Sequence, residues 1–170
     1  MSKRELKKYL ASLPKKELEE QLLSVYEKFT DVKAYYDFVF NPKEDKLEQE
    51  AKAKIANEYF PVRGKRPKLR RSTAQNYIKK FLTLGVDAYV VADVMLYNIE
   101  TAQKYTAKRD IRYNSFYKSM LNSFKQAVDY ITANGLAAVY KNRIESVYKE
   151  VKRQDWENYK EFERIYDNFE

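Results

Sequence analysis

Asp87-Ala88-Tyr89-Val90-Val91-Ala92-Asp93-Val94-Met95-Leu96-Tyr97-Asn98-Ile99 is the most apolar stretch of the chain, and its reading decides the fold. Val90, Val91, Val94, Met95, Leu96 and Ile99 recur at helical spacing, and Asp87 supplies the side-chain acceptor that opens a helix. The pattern predicts a largely buried helix over about 88–107. Asp93, Glu100 and Lys104 fall on one stripe of it, flanked by Tyr89 and Tyr97. That stripe is the narrow polar edge of an otherwise buried rod.

The same period continues on both sides. Upstream, Ser72 or Thr73 is expected to cap a helix carrying Tyr77, Ile78, Phe81 and Leu82, with Gly85 as its stop. Before it, Leu47, Ala51, Ile55 and Tyr59 mark the inner face of a helix over about 43–59, closed by Phe60-Pro61. Val32, Tyr35, Tyr36 and Val39 mark an aromatic helix over 31–40. Leu18, Leu22, Val25, Tyr26 and Phe29 mark another that opens at Pro14. Ser2-Lys3-Arg4-Glu5 reads as a capping box for a short first helix with Leu6, Tyr9 and Leu10 on one face. Downstream, Asn114 or Ser115 opens a helix running to Asn134-Gly135, Leu136 to Arg153 forms the next, and Trp156, Tyr159, Phe162, Ile165 and Phe169 mark the last. Only three glycines and four prolines punctuate 170 residues, too few for a sheet built on tight turns. The fold class predicted is all-α: one domain over 1–170, with eight or nine helices in antiparallel hairpins, as an irregular bundle or short α-solenoid.

Several strings carry a family likeness. Lys7-Lys8-Tyr9-Leu10, Leu18-Glu19-Glu20, Tyr35-Tyr36, Asn41-Pro42-Lys43 and Glu58-Tyr59-Phe60-Pro61 resemble a bacterial domain-of-unknown-function family, number 6155. The likeness is clearest over residues 1–61. It implies a small cytoplasmic bacterial protein and brings no activity, cofactor or site residue with it.

Composition excludes whole classes of chemistry. With no cysteine there is no disulfide, thiolate metal site or cysteine nucleophile. With no histidine there is no imidazole base and no histidine ligand. Neither a Gly-x-x-x-x-Gly-Lys nor a Gly-x-Gly-x-x-Gly string occurs, so the usual phosphate cradles are missing. Glu157 and Glu161 are spaced to share a helix face, which as a rule is solvated. No catalytic residue, metal site or cofactor is therefore assigned, and the chain is expected not to be an enzyme. The longest stretch free of formal charge, Tyr130 to Tyr140, is too short to span a bilayer. The N-terminus lacks the apolar core of a signal peptide, so a cytoplasmic location is expected.

Charge is distributed unevenly. The formal net charge is +8, and residues 1–85 hold 20 Lys/Arg against 12 Asp/Glu, whereas the second half is balanced at 13 of each. Six cations crowd Arg63-Gly64-Lys65-Arg66-Pro67-Lys68-Leu69-Arg70-Arg71 without an acid, in a stretch that reads as a loop at about 62–71. Nothing adjacent in sequence neutralises them, and Lys79 and Lys80 extend the basic character into the next helix. The alternative to a binding role is a solvated loop, or one paired with acids such as Glu44, Asp45 and Glu48. The leading functional expectation is a non-enzymatic binding module in which Arg63, Lys65, Arg66, Lys68, Arg70, Arg71, Lys79 and Lys80 contact an acidic partner such as nucleic acid. The alternative is a protein–protein adaptor that uses an aromatic groove between helices. The oligomeric state is left open.

Overall fold

The computed structural model describes residues 2–62 and 66–169. Among them nine helices and no strand are found: α1 (Lys3–Ser12), α2 (Lys15–Lys28), α3 (Thr30–Phe40), α4 (Glu44–Tyr59), α5 (Arg71–Leu84), α6 (Ala88–Thr106), α7 (Asn114–Ala133), α8 (Ala137–Arg153) and α9 (Tyr159–Asp167). The all-α expectation holds.

Several boundaries fall where their chemistry places them. The Ser2 hydroxyl accepts from the Glu5 N–H at 3.3 Å while the Glu5 carboxylate accepts from the Ser2 N–H at 2.6 Å, which closes the capping box of α1. Asp87 accepts from the Tyr89 N–H at 2.8 Å and opens α6. Gly85 ends α5 in the left-handed region at φ 76°, where a side chain would be strained.

Other ends differ from the sequence expectation. Pro14 is the residue just before α2 rather than its first helical one. Ser72 and Thr73 do not cap α5, which already begins at Arg71; the Thr73 hydroxyl instead turns to the Glu58 carboxylate. Trp156 precedes the last helix, because Asp155 is left-handed at φ 51° and the Trp156 N–H returns to the Val151 carbonyl. Glu157 therefore lies in the turn before α9 and does not share a helix face with Glu161.

Where the sequence predicts one domain, contacts gather in two compact units, Met1–Lys43 and Glu44–Glu170. In the second unit α6 is the hub and packs against α4, α5, α7 and α8. A solenoid repeat touches only its neighbours, so this unit is a bundle. Val91, Ala92, Val94, Leu96, Ile99 and Ala102 of α6 are sealed from solvent, as the apolar run requires. The far side of the core is aromatic, with Phe124 and Phe162 at 5.0 Å between ring centres and Trp156 on Phe162 at 5.8 Å. Each such side chain contributes roughly 1.5–3 kcal/mol by leaving water.

The first unit is built differently. α2 packs on α3, and the Tyr26 hydroxyl donates to Asp37 at 3.0 Å across that hairpin. Gln21 Nε2 donates to the Tyr9 hydroxyl at 2.8 Å, linking α2 to α1. No side chain of α1, α2 or α3 is buried.

Candidate functional site

The basic segment is partly fastened down. Arg63, Gly64 and Lys65 lie outside the described residues. Beyond them, one acid organises the rest: Glu58, in the last turn of α4 and only 6% exposed. Its carboxylate accepts from Arg70 Nη2 at 2.8 Å, from Arg70 Nε at 3.1 Å and from the Thr73 hydroxyl at 2.9 Å. Its backbone carbonyl accepts from the Lys68 and Leu69 N–H groups at 2.9 and 3.2 Å. Leu69 is left-handed at φ 54° as both amides turn to the one carbonyl. The forked bond from Arg70 holds the Glu58 carboxyl below its ordinary value, against the opposing effect of burial. Arg71 is engaged as well, with Nε donating to Ser123 at 2.8 Å and Nη2 to Gln126 at 2.7 Å, both on α7.

Nothing adjacent in sequence neutralises this segment, but for Arg70 an acid twelve residues back does. That partner belongs to the preceding helix and is brought in by the fold, and it is none of Glu44, Asp45 or Glu48. One sequence signal pointed there: Glu58 sits beside the inner register of Ala51, Ile55 and Tyr59, an odd place for a carboxylate without a partner. Arg66, Lys68, Lys79 and Lys80 are exposed, and no carboxylate pairs with them among the described residues.

Asp93 is held by two cations. Lys52 on α4 lies 2.5 Å from one oxygen, and the Arg143 guanidinium on α8 meets the other. Arg143 also grips Glu100 through Nε at 2.6 Å and Nη2 at 2.9 Å, and Lys52 reaches Glu48 at 2.6 Å. Lys52 further lies over the Tyr97 ring at 5.4 Å. Burial pushes the Asp93 carboxyl up, but the hydrogen bonds from Lys52 and Arg143 outweigh it and leave the group below its ordinary value. The arrangement is an ion-pair brace that ties α4, α6 and α8 together.

Two adjoining cavities open at the C-terminal end of α6. The first, about 510 Å³, is lined by Phe60, Glu100, Gln103, Lys104, Ala107, Lys108 and Glu150. The second, about 390 Å³, shares Phe60 and Lys108 and adds Tyr59, Pro61, Pro67, Tyr105 and Arg109. Nothing in the sequence pointed to this place, because its lining comes from the ends of α4, α6 and α8, far apart along the chain. A third cavity of about 340 Å³ lies in the first unit and is almost wholly apolar, lined by Leu22, Leu23, Tyr26, Tyr36, Asp37 and Phe40. Tyr36 and Phe40 stack along it at 6.2 Å.

Among the described residues no group of three or more Asp or Glu side chains converges to hold a metal ion. No helix there is long and apolar enough to cross a membrane. Fold and side-chain arrangement together define an all-α protein of two helical units. The chain belongs to the Family of unknown function (DUF6155), whose pattern matches residues 1–170, in agreement with the resemblance carried by its N-terminal strings. No curated protein and no solved structure matches it.

Proposed function

We propose that the chain is a non-enzymatic helical interaction module acting through α1–α3, and that the groove between α2 and α3 receives α1 of a second copy. One observation carries this: Leu22, Leu23, Val25, Tyr35, Val39 and Phe40 stand exposed on the α2–α3 hairpin, and α1 bares an apolar edge of its own in Leu6 and Tyr9. A hairpin that leaves this much of its apolar surface open to water is stable only marginally and gains by covering it. Charge selects the occupant. α1 carries Lys3, Arg4, Lys7 and Lys8 against Glu5 alone, whereas α2 and α3 carry Glu17, Glu19, Glu20, Glu27, Asp31 and Asp37 against four lysines. An amphipathic basic helix laid in an apolar, acid-rimmed groove is a standard recognition mode. In a two-fold pair each copy gives one helix and receives one.

Sedimentation equilibrium tests this. At about 100 µM, where a micromolar interface is saturated, the wild type should be a dimer. L23D/F40D should be a monomer with an unchanged circular dichroism spectrum, and K7E/K8E should weaken the pair while removing its salt sensitivity. A monomeric wild type at that concentration defeats the reading.

A second reading, contact of the basic segment with an acidic partner such as nucleic acid, draws support from Arg66, Lys68, Lys79 and Lys80, which lack carboxylate partners among the described residues. Arg70 and Arg71 are withdrawn from it by Glu58, Ser123 and Gln126. Phosphate contacts alone would make such binding indifferent to sequence and steeply salt-dependent. Each engaged cation adds about 0.9 to the log–log slope on duplex DNA.

A further inference from the structure

We propose that the paired cavities at the end of α6 form a binding cleft for single-stranded nucleic acid, with a base stacked on Phe60 and adjacent phosphates on Lys104, Lys108 and Arg109. The cleft lies wholly in the second unit, so its fate is independent of the groove between α2 and α3.

The platform comes first. Phe60 is 46% exposed, and its ring meets the edge of Tyr105 at 5.9 Å, which is itself tilted against Tyr59 at 6.0 Å. Tyr59 and Tyr105 are buried, so the outer ring rests on a fixed aromatic base. Pro61 and Pro67 stiffen the wall on one side. A rigid, half-open aromatic ring beside a cavity presents a π-face to any base that is not already paired.

Among the described residues, the lining charges left without a partner are all positive. Two acids line the first cavity, and both are occupied: Glu100 by Arg143 at 2.6 Å, and Glu150 by Arg153 at 2.6 Å together with Gln154 Nε2 at 2.6 Å. Lys104 and Lys108 are exposed, one helical turn apart, and no carboxylate pairs with either among the described residues. Arg109 lies over the Tyr105 ring at 5.7 Å, and no carboxylate among the described residues takes its N–H groups. Arg66 and Lys68, exposed, flank the cavity-lining Pro67 in sequence. Cations at a helix C-terminus are favoured by its dipole, and that accounts for Lys104 and Lys108 taken alone. It does not account for an uncovered phenylalanine between them and two prolines. Stacking face and cation row on one open groove are the two components of a single-strand binding surface.

The test uses the full chain and a fluorescein-labelled oligo-dT of about 15 nucleotides, long enough to fill one such groove. Anisotropy at low salt should show binding to the single strand that exceeds binding to a duplex of the same length. Phe60→Leu keeps the site apolar but removes the stacking face, and should weaken binding roughly tenfold, the order of one stacked base. Lys104→Ser with Lys108→Ser should make the log–log salt slope shallower by about 1.4, at roughly 0.7 per phosphate on a single strand. Circular dichroism and the melting temperature should be the same for all three proteins. An undetectable complex at low salt, equal affinity for duplex, or wild-type affinity in Phe60→Leu would each overturn the proposal. Tight binding of AMP with no gain from added nucleotides would also overturn it, since the site would then be one for a mononucleotide.

Discussion

Residues 15–40 and residues 88–133 both form amphipathic helices with apolar residues at the same spacing, yet only the second set is buried. In α6 and α7, Val94, Leu96, Ile99, Met120 and Phe124 are fully removed from water. In α2 and α3, Leu23 is 61% and Phe40 81% exposed. Local propensity and capping suffice to set helical phase in both regions. Burial depends on how many partners surround a helix. α6 has four packing neighbours, while α2 packs chiefly on α3. A helical hairpin has too little surface facing itself to build a core, whereas a central rod wrapped by four others has little facing anything else.

The largest expected effect breaks this comparison most directly. Phe124→Ala should cost about 3–5 kcal/mol in urea denaturation, from lost transfer energy and the cavity left behind. Leu23→Ala, measured at a concentration where the chain is monomeric, should cost no more than about 0.5 kcal/mol. Native-state hydrogen exchange should rank the same way, with α6 amides opening only on global unfolding and those of α2 and α3 far more readily. A Leu23→Ala cost near that of Phe124→Ala would show that the first unit has a covered core after all.

The next effect concerns the brace between α4, α6 and α8. Arg143→Ala leaves Asp93 and Glu100 half-buried without their shared cation, and should lower stability by about 2–3 kcal/mol. Arg143→Lys should recover only part of this, because a lysine cannot grip Asp93 and Glu100 at once. Equal stability of Arg143→Ala and the wild type would reduce the brace to a surface ornament.

Glu58 gives a smaller, pH-dependent effect. Its folded carboxyl is held below its ordinary value of 4.5, so its contribution is complete above that pH. The contribution fades as pH falls through the lower folded value. Glu58→Gln should cost about 1 kcal/mol at neutral pH, discounted because Arg70 faces solvent. It should also flatten the acid limb of the stability profile below pH 4.5. An unchanged acid limb would remove Glu58 from its organising role.

The smallest effect sharpens the comparison from the other side. L23D/F40D should change the unfolding free energy of the monomer by no more than the roughly 0.5 kcal/mol usual for surface sites, while abolishing self-association. Loss of fold in that variant would mean that its apolar face is internal support rather than interface.

The sequence was sufficient for the helices and for several of their ends. Ser2 with Glu5, Asp87, Gly85 and Gly135 are local devices whose partners lie close by in the chain. It also placed Asp93 and Glu100 on one polar stripe of α6, because helical phase needs only the residue number. What surrounds that stripe was decided by tertiary structure. Lys52 arrives from α4 and Arg143 from α8, one well before Asp93 and the other well after it, on helices whose docking no local pattern reports. The same holds for Glu58, which turned Arg70 from a cation offered to a partner into a strut. It holds again for Phe60, Lys104 and Lys108, unremarkable until the end of α4 and the end of α6 meet. Periodicity fixes which way each side chain faces on its own helix. Which helices then meet depends on the burial of whole faces against one another, a sum over distant contacts that appears in the chain only once it has folded.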